Sequence, residues 1–134
     1  MTATAVERPG FTGFHHFAST VSDLARSAAW YERVLGLTPG STLCPDDGTT
    51  DGVLLSDPES GIAIRLHGAG GGEPRGHAAL SVSNRAQLDT WAGWFDGLGV
   101  LHSGVVDVGG PEPYAYLVFR DPDDLPLVLV HVVE

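Results

Sequence analysis

The residues best suited to chemistry are two histidines that stand in matching places. His16 opens the stretch His-Phe-Ala-Ser-Thr-Val-Ser, and His77 opens His-Ala-Ala-Leu-Ser-Val-Ser 61 positions later. An imidazole titrates near neutral pH and serves as a proton carrier or as a ligand for a divalent metal. One histidine on a strand is more often a satisfied interior residue, but a pair repeated at equivalent positions favours a shared site. Arg65 and His67 lie two residues apart. A guanidinium turned into a cleft grips a carboxylate or phenolate through its planar fork of donors, the alternative being a rim side chain reaching for solvent. Tyr114 and Tyr116 share that spacing and suit an aromatic ligand, against an ordinary role as half-buried strand tyrosines. His102 in a turn, and Cys44 in a polar loop with no histidine near it in sequence, are weaker candidates. No Ser-His-Asp set can be assembled from residue order.

These side chains need elements to hold them. Residues 14–21 read as a strand, Ser22-Asp23 as the cap of a helix over 24–35, and Gly36 as its terminator. Residues 38–51, rich in Gly, Pro, Asp and Thr, read as turns around at most one short strand. Strands follow over 53–56 and 62–67, separated by an Asp57-Pro58 turn. Residues 68–76 contain five glycines and a proline and open no helix, which predicts a linker rather than a phosphate cradle. The order then returns: strand 77–82, cap Ser83-Asn84, helix 86–98, Gly99, a turn-rich stretch, strand 114–120, an Asp121-Pro122 turn and strand 125–133. Ser22 matches Ser83 and Trp30 matches Trp91 at the offset of 61, while Asp57-Pro58 matches Asp121-Pro122 at an offset of 64. A period this long marks a duplicated supersecondary unit. After a mobile tail over 1–10, one domain is expected over 11–133, with module one at 11–67, the linker at 68–76 and module two at 77–133. The expected class is α+β: two tandem βαβββ modules forming a curved mixed sheet around a cleft.

Strand alternation sorts the side chains by face. Phe17, Ser19 and Val21 should pack on the first helix and leave His16, Ala18 and Thr20 in the cleft. Ala78, Leu80 and Val82 should pack on the second and leave His77, Ala79 and Ser81. The same rule turns Arg65, His67, Tyr114, Tyr116 and Val128 towards the cleft, and Trp30 and Trp91 belong to the core.

Composition removes whole classes of function. The chain has 134 residues, 43% of them hydrophobic, enough for an independent core. A net charge of -10 repels phosphate backbones and anionic membranes. All seven basic residues are Arg, so neither a Schiff-base lysine nor a P-loop lysine is present. The lone Cys44 has no intrachain disulfide partner, and no signal peptide or membrane-spanning run is visible. A cytoplasmic protein that binds neither nucleic acid nor membrane is expected.

The run His16-Phe-Ala-Ser-Thr-Val-Ser-Asp-Leu-Ala-Arg-Ser-Ala-Ala-Trp-Tyr-Glu-Arg-Val-Leu-Gly-Leu, with Gly76-His-Ala-Ala-Leu-Ser-Val and Phe119-Arg-Asp-Pro-Asp-Asp, resembles the vicinal oxygen chelate superfamily. That group includes glyoxalases, bleomycin-resistance proteins, fosfomycin-resistance enzymes and extradiol dioxygenases, and the resemblance covers residues 14–133. It implies metal ligands at His16 and His77, and a Glu seven residues after the Asp of the Asp-Pro turn, where this chain has Val128. The usual Glu or Gln of the first module falls on Arg65 or Ile64. A divalent metal would therefore lack its third ligand, and two imidazoles alone hold most divalent ions weakly. Glu112, Asp107, His67 or a residue from a domain-swapped second chain would have to complete the set. Glyoxalase-type proton transfer also needs a carboxylate base, which Val128 cannot supply.

The resulting expectation is a small-molecule-binding protein, more an enzyme than not, acting on an organic metabolite of aromatic or carboxylated type. His16 and His77 would act as acid and base or hold a weak metal, with Arg65, His67, Tyr114, Tyr116 and Val128 lining the ligand. The alternative is a non-catalytic protein that sequesters a drug or other ligand, as bleomycin-resistance proteins do, and the acidic charge suits a cationic drug. The resemblance also implies a homodimer. The substrate, and whether modules pair within or between chains, are left open.

Overall fold

The computed structural model describes residues 8–10, 17–43, 52–68 and 72–133; the expectations for His16 and Cys44 lie outside these residues. The element order is β1 (Phe17–Val21), α1 (Leu24–Leu35), β2 (Thr38–Leu43), β3 (Gly52–Ser56), β4 (Ala63–Gly68), β5 (Ala78–Ser81), α2 (Arg85–Leu98), β6 (Val106–Val108), β7 (Tyr114–Arg120) and β8 (Pro126–Val132).

The helices begin and end for local reasons. Asp23 is extended, and its carboxylate accepts from the Arg26 amide at 3.0 Å; Asn84 does the same for the Gln87 amide at 3.0 Å. Each cap satisfies a donor that the helix leaves unpaired. Gly36 (φ 69°) and Gly99 (φ 73°) end the two helices in the left-handed region, where a side chain is strained. In α1, Ser27, Tyr31 and Val34 are buried, the spacing of one helical face.

Each module forms a four-stranded mixed sheet, in the order β1-β4-β3-β2 and β5-β8-β7-β6. The helix carries the chain from β1 at one edge to β2 at the other, or from β5 to β6; the pairs β1–β4 and β5–β8 are parallel and the remaining pairs antiparallel. Two stretches read as mainly turns prove to carry edge strands. β2, Thr-Pro-Gly-Ser-Thr-Leu, holds a Pro and a Gly, tolerated because it pairs on one side only and its register shifts between Pro39 and Thr42. β6 pairs three residues with β7, too few to leave a periodic signal in the sequence.

The helix-packed faces of both sheets enter one hydrophobic cluster. Leu55, Ile64 and Leu66 come from the first sheet, Leu117, Phe119 and Leu127 from the second, and Tyr31, Val34, Leu88 and Phe95 from the helices. Trp30 and Trp91 pack partly buried against it. Trp30 of α1 stacks on Phe119 of β7, with centroids 6.2 Å apart, and the Trp94 indole N–H of α2 donates to the Val34 carbonyl of α1 at 2.8 Å. Among the described residues one backbone bridge joins the first sheet to the segment that leads into the second. Thr20, in β1, and Arg75, just ahead of β5, exchange backbone hydrogen bonds at 2.6 and 2.9 Å. The end of the glycine-rich stretch is thus pinned to the first sheet.

Candidate functional site

The side chains opposite the helices are the candidates. On the first sheet, alternation buries Ser19 and Val21 and leaves Ala18 exposed. Arg65 on β4 lies in register with Ala18 on β1 and Leu54 on β3, and His67 with Thr20 and Gly52. Arg65 is half-buried, and its Nε is a buried donor without a hydrogen-bond partner. A buried donor left unmade costs roughly 1–3 kcal/mol, so this Nε favours an acceptor, from water or from a ligand.

On the second sheet, Ala115, Leu117 and Phe119 are buried, while Tyr114 is 38% exposed and Tyr116 and Val118 are half-buried. The Tyr114 and Tyr116 rings stack at 6.0 Å with 29° between their planes, a flat aromatic surface two residues long. Val128 stands between Ala79 on β5 and Val118 on β7. His77 immediately precedes β5 and is exposed.

Within each sheet, register and alternation put Arg65 and His67 on one face, and Tyr114, Tyr116 and Val128 on one face. Between sheets, no hydrogen bond, ion pair or ring contact among the described residues joins Arg65 and His67 to His77, Tyr114, Tyr116 or Val128. Two of the residues considered for completing a metal site are otherwise placed. Asp107 receives a two-pronged ion pair from Arg85, Nε to Oδ1 at 2.7 Å and Nη2 to Oδ2 at 2.8 Å, and Asp89 takes Nη1 at 2.9 Å. The Arg85 hydrogen bonds hold the Asp107 carboxyl below its ordinary pKa. Glu112 is exposed in the bend ahead of β7. His102 is tied to the C-terminal turn of α2: its Nε2 lies 2.7 Å from Asp96 Oδ1 and its Nδ1 accepts from the Gly104 amide at 2.9 Å.

A chelate site of the kind the resemblance implies does not fit the described donors. The positions at which the resemblance implies oxygen ligands hold Arg65 or Ile64 and Val128, none of which suits a divalent cation, and no group of three His, Cys, Asp or Glu side chains clusters among the described residues. Sequence reasoning missed the polar contacts between modules, chiefly the Tyr31 hydroxyl on Asp121, because partners 90 residues apart leave no local signal. No helix among the described residues is long and apolar enough to cross a membrane.

Comparison with known proteins gives one consistent answer. Residues 13–129 match the family model described as the glyoxalase/bleomycin resistance protein/dioxygenase superfamily. A glyoxylase/bleomycin resistance protein/dioxygenase domain from Frankia sp. EAN1pec is similar at 25% identity and a TM-score of 0.76, over 93% of this chain and 95% of that one. A lactoylglutathione lyase from Agrobacterium tumefaciens shares the fold at 17% identity and a TM-score of 0.72, over 90% and 94% of the two chains. A glyoxalase/bleomycin resistance protein/dioxygenase from Alicyclobacillus acidocaldarius does so at 16% and 0.72, over 92% and 93%. No curated protein matches the sequence.

Proposed function

The chain belongs to the glyoxalase/bleomycin resistance protein/dioxygenase superfamily, and from that premise we propose that it binds a small organic anion, aromatic or carboxylated, across the seam between β1 and the segment leading into β5. The observation that carries this reading is Arg65, a cation on the open face of β4 whose buried Nε has no partner. An anionic oxygen meets both its charge and its unused donor.

The register of the seam supports a shared site. Thr20 opposes Arg75 in an antiparallel bridge. Extended by two residues on each side, that register would bring His77 opposite Ala18, and Ala18 is itself in register with Arg65. Arg65 and His77 then flank a methyl side chain, which leaves room above it for a ligand. His77 serves as proton donor or acceptor to the ligand that Arg65 holds, with His16 as its counterpart in the repeat. Tyr114 and Tyr116 offer a stacking surface to an aromatic body, and His67 and Val128 extend the lining. Since Val128 supplies no base, standard glyoxalase proton transfer is not the reaction on this reading.

Benzoate and its neutral relative benzamide test the proposal by amide chemical-shift titration of the whole protein. Benzoate should bind roughly tenfold more tightly, as expected for a charge-assisted hydrogen bond, and Arg65→Gln should erase the difference. Equal affinity for the two probes would overturn the reading. Once a substrate is found, His77→Ala should retain binding and lose turnover.

A further inference from the structure

The modules meet at two junctions related by the internal repeat, and only one is closed. At the closed junction, the β7–β8 turn docks on the start of α1. Asp123 accepts from the Ser22 amide at 3.0 Å and from the Ser22 hydroxyl, and lies 3.8 Å from the Arg26 guanidinium. Asp121 takes the Tyr31 hydroxyl at 2.9 Å.

The repeat names the counterparts at the other junction. On the turn side, Asp57 stands for Asp121 and Glu59 for Asp123; on the helix side, Ser83 stands for Ser22, Gln87 for Arg26 and Ala92 for Tyr31. The helix caps fix this alignment independently, because Asp23 accepts from Arg26 and Asn84 from Gln87. The acids and the serine are kept, while the cation and the phenol are gone. Instead of a docked turn there is a groove of about 520 Å³, whose walls include Asp57, Glu59, Ser83, Gln87 and Trp91. Leu37 and Leu80 add apolar surface. A smaller groove of about 270 Å³ continues from it along α2, between Leu35, Trp91 and Trp94.

We propose that this groove is a second binding site, for an organic cation with an aromatic or apolar body. Such a ligand replaces the two groups that the repeat lacks on this side, the charge of Arg26 and the ring of Tyr31. Glu59 has no ion pair among the described residues, and Asp57 engages the Ser60 hydroxyl through Oδ2 alone at 2.7 Å. Trp91 presents an indole to a cation, and the net charge of -10 draws cations towards the surface. The groove shares no residue with the Arg65 site and does not depend on that assignment.

The test is an amide chemical-shift titration of the full chain with 2-phenylethylammonium and with neutral 2-phenylethanol. Both should shift amides in 57–62 and 80–91, with the ammonium bound about threefold more tightly, the size of an exposed charge pair. Glu59→Gln should remove that preference. Gln87→Arg, which restores the guanidinium of the closed junction, should weaken ammonium binding by at least about threefold. Equal affinities, shifts confined to β1 and β4, absence of binding, or indifference to both substitutions would each overturn the proposal.

Discussion

The Tyr31 hydroxyl donates to Asp121 Oδ2 at 2.9 Å in the buried interior, tying α1 of the first module to the β7–β8 turn of the second. The other oxygen of the same carboxylate accepts from the Asp123 amide at 2.8 Å and the Leu125 amide at 2.9 Å. One side chain thus shapes the turn and holds it against the helix. Tyr31→Phe keeps the ring and removes one charge-assisted bond, so a loss of about 1.5–3 kcal/mol in urea unfolding is expected. An unchanged unfolding midpoint would show that water replaces the hydroxyl without cost.

The same pair sets a pH dependence. Burial, and then the neighbouring Asp121 carboxylate, push the Tyr31 hydroxyl well above its ordinary value near 10. The folded state therefore favours the neutral phenol. That contribution is complete below about pH 10 and is lost as pH rises beyond it, because the unfolded chain ionises first. The wild-type protein should lose stability from about pH 10 upward more steeply than Tyr31→Phe, and comparing the two cancels every other titrating group. Parallel curves would disprove the assignment.

Gly76 lies at the seam against Ser19, where an added Cβ would overlap the Ser19 side chain. Ser19 is 4% exposed and has little room to yield. Gly76→Ala should cost about 1–3 kcal/mol, the range for overpacking a tight contact. Ser19→Gly in the same chain should recover part of that loss, a coupling that a double-mutant cycle in urea measures. Additive losses would mean that the strain lies elsewhere.

Much of this was legible in the chain. The α1 bounds, both capping pairs and the buried sets of β7 and β8 follow from local pattern, because a helix cap or an alternating strand carries its own signal; in β4 Ala63 is buried beside Ile64, against alternation. The edge strands β2 and β6 were harder, since partners on one side only leave composition unconstrained. The relation between sheets was harder still. Alternation places Arg65 and Tyr114 each on an open face, but no strand pattern announces that β1 meets the segment ahead of β5 through Thr20 and Arg75. The repeat was visible, whereas the loss of Arg26 and Tyr31 at one junction gains meaning only beside the closed one.

His102 illustrates how geometry assigns a proton. The Gly104 amide can only donate, so Nδ1 of His102 is the acceptor and the neutral ring carries its hydrogen on Nε2, pointing at Asp96 Oδ1. Long-range ¹⁵N correlation spectra of the neutral ring should report the Nε2–H tautomer. His102→Asn retains an acceptor for Gly104 and should be tolerated better than His102→Leu, which leaves the amide unpaired. The Nδ1–H tautomer in solution would refute this arrangement.

The face opposite the helices also predicts how the protein treats metals. Ala79 and Val128 are register partners across β5 and β8, and His77 precedes Ala79 by two residues, the spacing of one face if the strand direction continues. An imidazole there sits diagonally across from position 128, within reach of a long acidic side chain but not of an isopropyl group. In the other module Arg65 repels a cation directly. Protein equilibrated with Zn²⁺ or Ni²⁺ and desalted should therefore retain well below one equivalent by elemental analysis. Val128→Glu with Arg65→Glu supplies two carboxylates and removes the opposing charge, so retention should rise towards one equivalent, and adding His77→Ala should reverse it. Near-stoichiometric metal on the unaltered chain would show that other residues complete a site, and would make the proposed Arg65 anchor compete with a bound cation.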